Sequence, residues 1–422
     1  MDISFKIDVF KGSLTCQCKY EKCDICTSHF YLNRDFTVKS IKADDRYFST
    51  SSSLVKLDVL EGYLVRKFEI PKFSHTLIIE FEGYLTGDTG CCPYVKETIN
   101  EDFTFIRWET FCYPMFIEDT QDSLFKYLTV SGYADISVEV PYGYKTIASE
   151  KLTSKKENIF YFNDHKAAKY NFNCAIAKYK ELILPTGIFY LLNGSFDSDM
   201  LIEVMDFTSK YMNSHFGYRD IKSNTKYVSI PDGYGSFTCE ENDTIFIQQS
   251  TFSSKKNMNQ IIHEFTHLGW NAKAEGTVSR SRFFDEAFTS YYEMRIMNAL
   301  EGKEYYLDLY SKTWNEQMNS GKYKEIPIHK FGEYEYGDLS YTAGAICLYE
   351  LTNIISETIF DNITTQFLNE FKNKATTFED FCNFYINKAK NDKKESVKKL
   401  FDDWIYSCEG FKKYIKITYI PR

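Results

Sequence analysis

The sequence predicts an α+β chain of two domains, a β-sandwich followed by a mostly helical domain. Three observations carry this prediction. Short runs of alternating apolar and polar residues recur over the first part of the chain, most of them bounded by Gly, Asp, Asn, Ser or Pro. Near residue 197 the apolar spacing becomes helical and stays so for most of the remainder. The chain has 422 residues, a length that suits about two or three domains. The boundary is placed at residue 182, with a β-sandwich over 1–182 and a helical domain over 183–422.

In the first domain the clearest strand-like runs are 36–41, 64–70, 76–81, 133–140 and 158–162. A last strand-like run at 183–193 passes into 197–216. There Leu201, Val204, Met205, Phe207, Tyr211 and Met212 recur at helical spacing. Strands are expected at 227–230 and 244–248, with a Gly-containing turn between them. Further helices are expected at 283–299, 341–358, 364–372, 377–390 and 396–407. The end, 414–420, alternates like an edge strand.

Composition excludes several classes of function. The net charge is −9, and no block of Lys or Arg reads as a nucleic-acid or membrane patch, so neither partner is expected. The longest mostly apolar run, 343–351, is too short to span a bilayer and contains Glu350. The first residues alternate instead of forming a basic segment followed by an apolar one, so no signal peptide is expected. A cytoplasmic location follows as an expectation, with the 12 cysteines kept as thiols. No obligate protein partner is inferred.

The chemistry concentrates at 257–293. His263-Glu264-Phe265-Thr266-His267 is an H-E-x-x-H pattern. On a helix, residues i and i+4 share a face, so two imidazoles can meet one metal ion with Glu264 beside them as general base. Catalytic zinc commonly takes three protein ligands and one water. Glu286 supplies the third, with eighteen residues between it and His267. The bland alternative is a surface helix that happens to carry two histidines. Ile261, Ile262, Phe265 and Leu268 argue against it, because they give the helix an apolar face to bury. One Zn²⁺ per chain is therefore expected. Glu293, two turns beyond Glu286 on the same face, is a candidate to hold a ligand imidazole; a surface carboxylate is the competing reading. Asp285 stands where an acidic residue caps or orients a helix start.

These residues resemble the gluzincin metallopeptidases of the aminopeptidase N and leukotriene hydrolase family. In that family a Glu ligand follows H-E-x-x-H after 18 residues, in a motif like W-L-N-E-G-x-A-x-Y-x-E. Here the run is Phe283-Phe284-Asp285-Glu286-Ala287-Phe288-Thr289-Ser290-Tyr291-Tyr292-Glu293. The family's S-Y-x-K-G-A motif is matched by Ser340-Tyr341-Thr342-Ala343-Gly344-Ala345, which implies Tyr341 as hydrogen-bond donor to the oxyanion. The resemblance extends over nearly the whole chain. It implies a thermolysin-like catalytic domain behind the β-domain, in a short two-domain form lacking the large C-terminal helical domain. It implies a zinc peptidase acting on peptide substrates, with release of N-terminal residues as the first reading.

Three positions depart from the family pattern. Its G-x-M-E-N motif, whose Glu binds the substrate's free amine, faces Gly235-Ser236-Phe237-Thr238-Cys239-Glu240-Glu241-Asn242. Aligned on Gly235, the motif's Glu is Thr238; Glu241 is a substitute only after a shift of three residues. The Lys of S-Y-x-K-G-A is Ala343, and the W-x-G-N after the second His is a shifted Leu268-Gly269-Trp270-Asn271. An endopeptidase or dedicated peptide-maturation protease is thus a second reading, and a non-catalytic peptide-binding relative a third. Two cysteine groups carry no assigned role. Cys16, Cys18, Cys23 and Cys26 form either a structural metal site or free thiols, and Cys91-Cys92 is a vicinal pair.

Overall fold

The computed structural model describes residues 1–25, 27–87, 90–129, 133–163, 171–216, 224–269, 273–274, 282–302, 306–331, 336–371 and 374–414. The chain forms two compact units. One comprises Met1–Phe196 and Asn224–Ser253, the other Asp197–Ser223 and Ser254–Arg422.

The first unit is built of strands. Its largest sheet has eight, in the order Leu152–Lys156, Ile159–Asn163, Asp135–Glu139, Asp2–Asp8, Ser13–Glu21, Thr76–Tyr84, Phe36–Ala43 and Arg46–Phe48. Neighbours are antiparallel except Asp2–Asp8 with Asp135–Glu139, which run parallel. Alternation sets which face is covered. In Ser13–Glu21, Leu14, Cys16, Cys18 and Tyr20 are buried, while Thr15, Gln17, Lys19 and Glu21 are exposed. Two three-stranded sheets share the same core through Phe30, Leu32, Val65, Phe68, Ile106 and Ile176. All five alternating runs fall on strands. A helix that the sequence reading left out, α1 (Gln121–Thr129), buries Leu124 and Tyr127.

A further five-stranded sheet belongs to this unit, in the order Lys180–Leu184, Gly187–Leu191, Lys226–Ile230, Thr244–Gln248 and Phe237–Cys239. Its middle three strands are parallel, and Lys226–Ile230 and Thr244–Gln248 are almost continuously buried. Cys16 and Cys18 lie in the sandwich core with their sulfurs 3.5 Å apart. Cys26 and the Cys23 side chain lie outside the described residues, so this cluster's metal-binding reading stays with the sequence.

The second unit is helical: α2 (Ser198–Phe216), α3 (Met258–His267), α4 (Glu286–Glu301), α5 (Tyr306–Asn319), α6 (Ala345–Ile355), α7 (Glu357–Phe371), α8 (Phe378–Lys388) and α9 (Lys394–Trp404). Its core is aromatic. Phe283, Phe284, Phe288, Phe360, Phe367, Phe378, Phe381, Tyr385 and Phe401 contact one another mainly at tilted or edge angles. Buried in this unit, the Arg295 guanidinium grips Asp361 at 2.6 and 3.0 Å. Helix α5 has no counterpart in the sequence reading, because Tyr306 and Trp314 are its only buried residues and its other apolar side chains, Leu307, Leu309, Tyr310 and Met318, are half-buried or exposed. The helix expected over 341–358 ends at Ile355. Ser356, at φ 73°, breaks the helical path before α7 begins at Glu357. All but the first residue of the expected final strand lies outside the described residues.

Candidate metal centre

Helix α3 buries Met258, Ile261, Ile262 and Phe265, which ties its register to the core of the second unit. The same register turns His263, Glu264 and His267 toward α4 and the turn that precedes α6. Helix α4 starts at Glu286, so this candidate carboxylate sits on the first turn of a helix packed against α3.

Three donor atoms converge. His263 Nε2 lies 3.2 Å from His267 Nε2 and 3.2 Å from Glu286 Oε2, and His267 Nε2 lies 3.3 Å from Glu286 Oε2. A tetrahedral ion with bonds of about 2.0–2.1 Å places its ligands about 3.3 Å apart, so this spacing fits zinc. Among the described residues, these are the His, Cys, Asp or Glu side chains grouped closely enough to hold a metal.

Each imidazole is held from behind. His263 Nδ1 meets Glu293 Oε2 at 2.9 Å, and Asn259 Nδ2 donates to Glu293 Oε1 at 3.2 Å. Tyr310, on the unforeseen helix α5, also bonds Glu293. His267 Nδ1 meets Asp285 Oδ1 at 2.8 Å and Thr289 Oγ1 at 3.2 Å. A carboxylate on Nδ1 keeps the proton there and leaves Nε2 free to bind a cation. Asp285 makes no capping bond to α4, so of its two anticipated uses the geometry displays the orienting one.

The field of this cage favours positive charge. Burial opposes the His263 imidazolium, yet Glu286 and Glu293 hold its pKa up at about 9. Burial opposes His267 likewise, and Asp285 and Glu286 raise it well above the ordinary value. Glu286 would be pushed up by burial, but Arg282 and the two imidazoles hold it well below the usual carboxylate range. The potential that retains protons on these rings also attracts a divalent cation, which replaces them.

Tyr341 lies on a π-helical turn, Ser340–Gly344, that leads into α6. Its ring stacks on His263, with centroids 5.6 Å apart and planes at 21°. Burial first, then the Glu286 and Glu264 charges, push its hydroxyl well above the usual value, so it stays protonated as a donor. Gly344 explains how close the turn comes: a Cβ there would lie 2.6 Å from the Ala287 Cβ of α4. Arg282, absent from the sequence reading, stacks its guanidinium over Tyr341 at 5.4 Å and pairs with Glu286. It lies just before the motif run, in a stretch with no pattern of its own.

Comparison with known proteins agrees with this geometry. Residues 196–404 match the Peptidase family M1 domain. This part of the chain is a peptidase family M1 domain. Its fold is that of the family's solved members. Native leukotriene A4 hydrolase from Saccharomyces cerevisiae superposes with a TM-score of 0.66 at 14% identity, over 96% of this chain and 67% of that one. A variant of an M1 zinc metallopeptidase from Deinococcus radiodurans, bound to a Tyr-Ser-Ala substrate, gives 0.62 at 11%, over 96% and 92%. In sequence, the chain is 24% identical over 168 residues to leucine aminopeptidase 2 of Neosartorya fischeri. That match takes in 36% of this chain and 27% of that protein, about a quarter of the relative's length.

Within this M1 domain, some of the positions that depart from the family motifs are described. Ala343 is fully buried on the π-helical turn. Thr238 lies on the edge strand Phe237–Cys239, and Glu241 in the 3-10 turn Glu240–Asn242 that follows; the Glu241 side chain is outside the described set. Trp270 and Asn271 lie outside the described residues. No helix among those described is long and apolar enough to cross a membrane.

Proposed function

We propose that the chain is a zinc-dependent metallopeptidase that hydrolyses peptide bonds and releases N-terminal residues. The observation that carries this is the triangle of His263 Nε2, His267 Nε2 and Glu286 Oε2, with edges of 3.2–3.3 Å and a carboxylate behind each imidazole. These three side chains would hold one Zn²⁺, within a peptidase domain taken to begin near residue 183. Bound there, zinc supplies Lewis acidity and lowers the pKa of water toward about 7.

The chain's own groups do the rest. Glu264, fixed on α3 between the two histidines, takes the proton of the attacking water and delivers it to the leaving amine. Tyr341, kept protonated, donates a hydrogen bond to the oxyanion that forms on the scissile carbonyl. Glu293 and Asp285 hold the imidazoles in one tautomer and orientation. Glu241 is the group proposed to receive the substrate's free ammonium. A cytoplasmic setting is part of this reading and suits the cysteines, which form no disulfide among the described residues.

The second reading, an endopeptidase or maturation protease, is favoured by Thr238, which stands at the motif's amine-binding position and carries no charge. Elemental analysis for zinc, with aminoacyl-fluorophore and N-blocked peptide substrates, separates the readings. Turnover of free-amine substrates, abolished in Glu264→Gln, supports the aminopeptidase. Cleavage of blocked peptides alone transfers the assignment to the endopeptidase. A zinc-free protein inert toward both leaves only a peptide-binding relative.

A further inference from the structure

Cys91 and Cys92 take no part in the metal centre. Of the ten cysteines whose side chains are described, seven are buried; Cys91, Cys92 and Cys408 reach solvent. The Cys91 and Cys92 sulfurs lie 3.8 Å apart, with Cys91 donating toward Cys92. That separation is van der Waals contact, so each sulfur already touches the other.

The surrounding turn is well held. Val95 N–H donates to Cys92 O at 3.0 Å and Gly90 N–H to Val95 O at 2.6 Å. Tyr94 bonds Cys92. The Tyr94 ring packs on Gly235, where a Cβ would come within 2.7 Å of it, and Gly235 N–H donates to Tyr94 O at 3.2 Å. Arg107 and Glu109, paired at 2.6 Å, are the charged groups facing the thiols.

The two thiols are not equivalent. The Cys91 hydrogen bond draws Cys92 down to about 7, against burial, with help from Tyr94 and Arg107. The Cys92 sulfur and burial push Cys91 far up. Burial raises the remaining solvent-reaching thiol, Cys408. A thiol near neutrality is substantially thiolate, the form that attacks disulfides. We propose that Cys91 and Cys92 form a dithiol modification site that reacts with small-molecule disulfides and closes to an intramolecular disulfide.

The chemistry balances with the small disulfide as oxidant. Cys92 Sγ attacks one of its sulfurs, the S–S bond breaks, and one small thiol leaves with the proton that Cys92 gave up. Cys91 Sγ then attacks Cys92 Sγ and expels the second small thiol, which takes the proton of Cys91. Two protein thiols lose two electrons and two protons, and the small disulfide becomes two thiols. Disulfides under strain are the readily reduced ones, so a ring closed between adjacent residues is expected to reopen with a dithiol reductant.

The test treats the full chain with oxidised glutathione and maps each cysteine by peptide mass spectrometry. Wild type is expected to form the Cys91–Cys92 disulfide with no glutathione retained, roughly tenfold faster than Cys408 reacts. In Cys91→Ser, glutathione is expected to stay trapped on Cys92; in Cys92→Ser, reaction at Cys91 slows by a similar factor. Matched thermal unfolding of the reduced proteins confirms that the variants fold. Glutathione retained at either position of wild type overturns the proposal. So does reaction at Cys91 and Cys92 no faster than at Cys408, a comparison that needs no variant.

Discussion

His267 and Asp285 form a direct pair, Nδ1 to Oδ1 at 2.8 Å, across the junction of α3 and α4. The carboxylate one residue before Glu286 thereby orients the His267 imidazole. Asp285→Ala is expected to weaken zinc binding about 10- to 100-fold while leaving the fold intact. Competition with a fluorescent chelator measures it. An unchanged affinity would mean that Thr289, 3.2 Å away, orients the ring alone.

Proton release is the second expectation. His263 is held at about 9 in the folded chain against 6.5 for a free imidazole, and His267 is raised too. A raised pKa stabilises the metal-free chain fully below pH 6.5, and this contribution is lost as pH climbs through about 9. Zinc binding runs the other way, since it must expel those protons. Its affinity should therefore rise over the same interval. Calorimetry in buffers of different ionisation enthalpy should detect protons released near neutral pH.

Tyr341→Phe keeps the ring that stacks on His263 and removes only the hydroxyl. If that hydroxyl steadies the oxyanion, kcat should fall about 10²- to 10³-fold with KM and zinc content nearly unchanged. Steady-state kinetics on the zinc-loaded variant decides this, and a KM effect alone would assign Tyr341 to substrate binding.

Gly344→Ala forces a methyl group to within 2.6 Å of Ala287 unless the turn moves away from α4. Overpacking of this kind costs about 1–3 kcal/mol. The shift also carries Tyr341 off the metal centre. Denaturant unfolding should report the stability loss, and activity should fall by more than zinc content does.

Much of this was legible in the sequence because it depends on short-range covalent geometry. A helix places residues four apart on one face, so His263 and His267 declare themselves as a pair. Alternation declares the runs 36–41 and 76–81 as strands, and they lie on Phe36–Ala43 and Thr76–Tyr84. Helix α5 stayed hidden because it buries little apolar surface, yet it delivers Tyr310 to Glu293. The break at Ser356 was also hidden, since its left-handed φ carries no side-chain signature.

By itself, then, the sequence determined the two-part α+β architecture and the residues able to gather at one metal ion. Those follow from periodicity and fixed spacing, which hold wherever the helix docks. The tertiary structure alone decided which carboxylate stands behind which imidazole, that Tyr341 stacks on His263, and that Arg282 joins them. These contacts join separate elements of the helical unit. They exist because buried apolar faces lock α3, α4 and the π-helical turn into one packing arrangement, which no local pattern encodes.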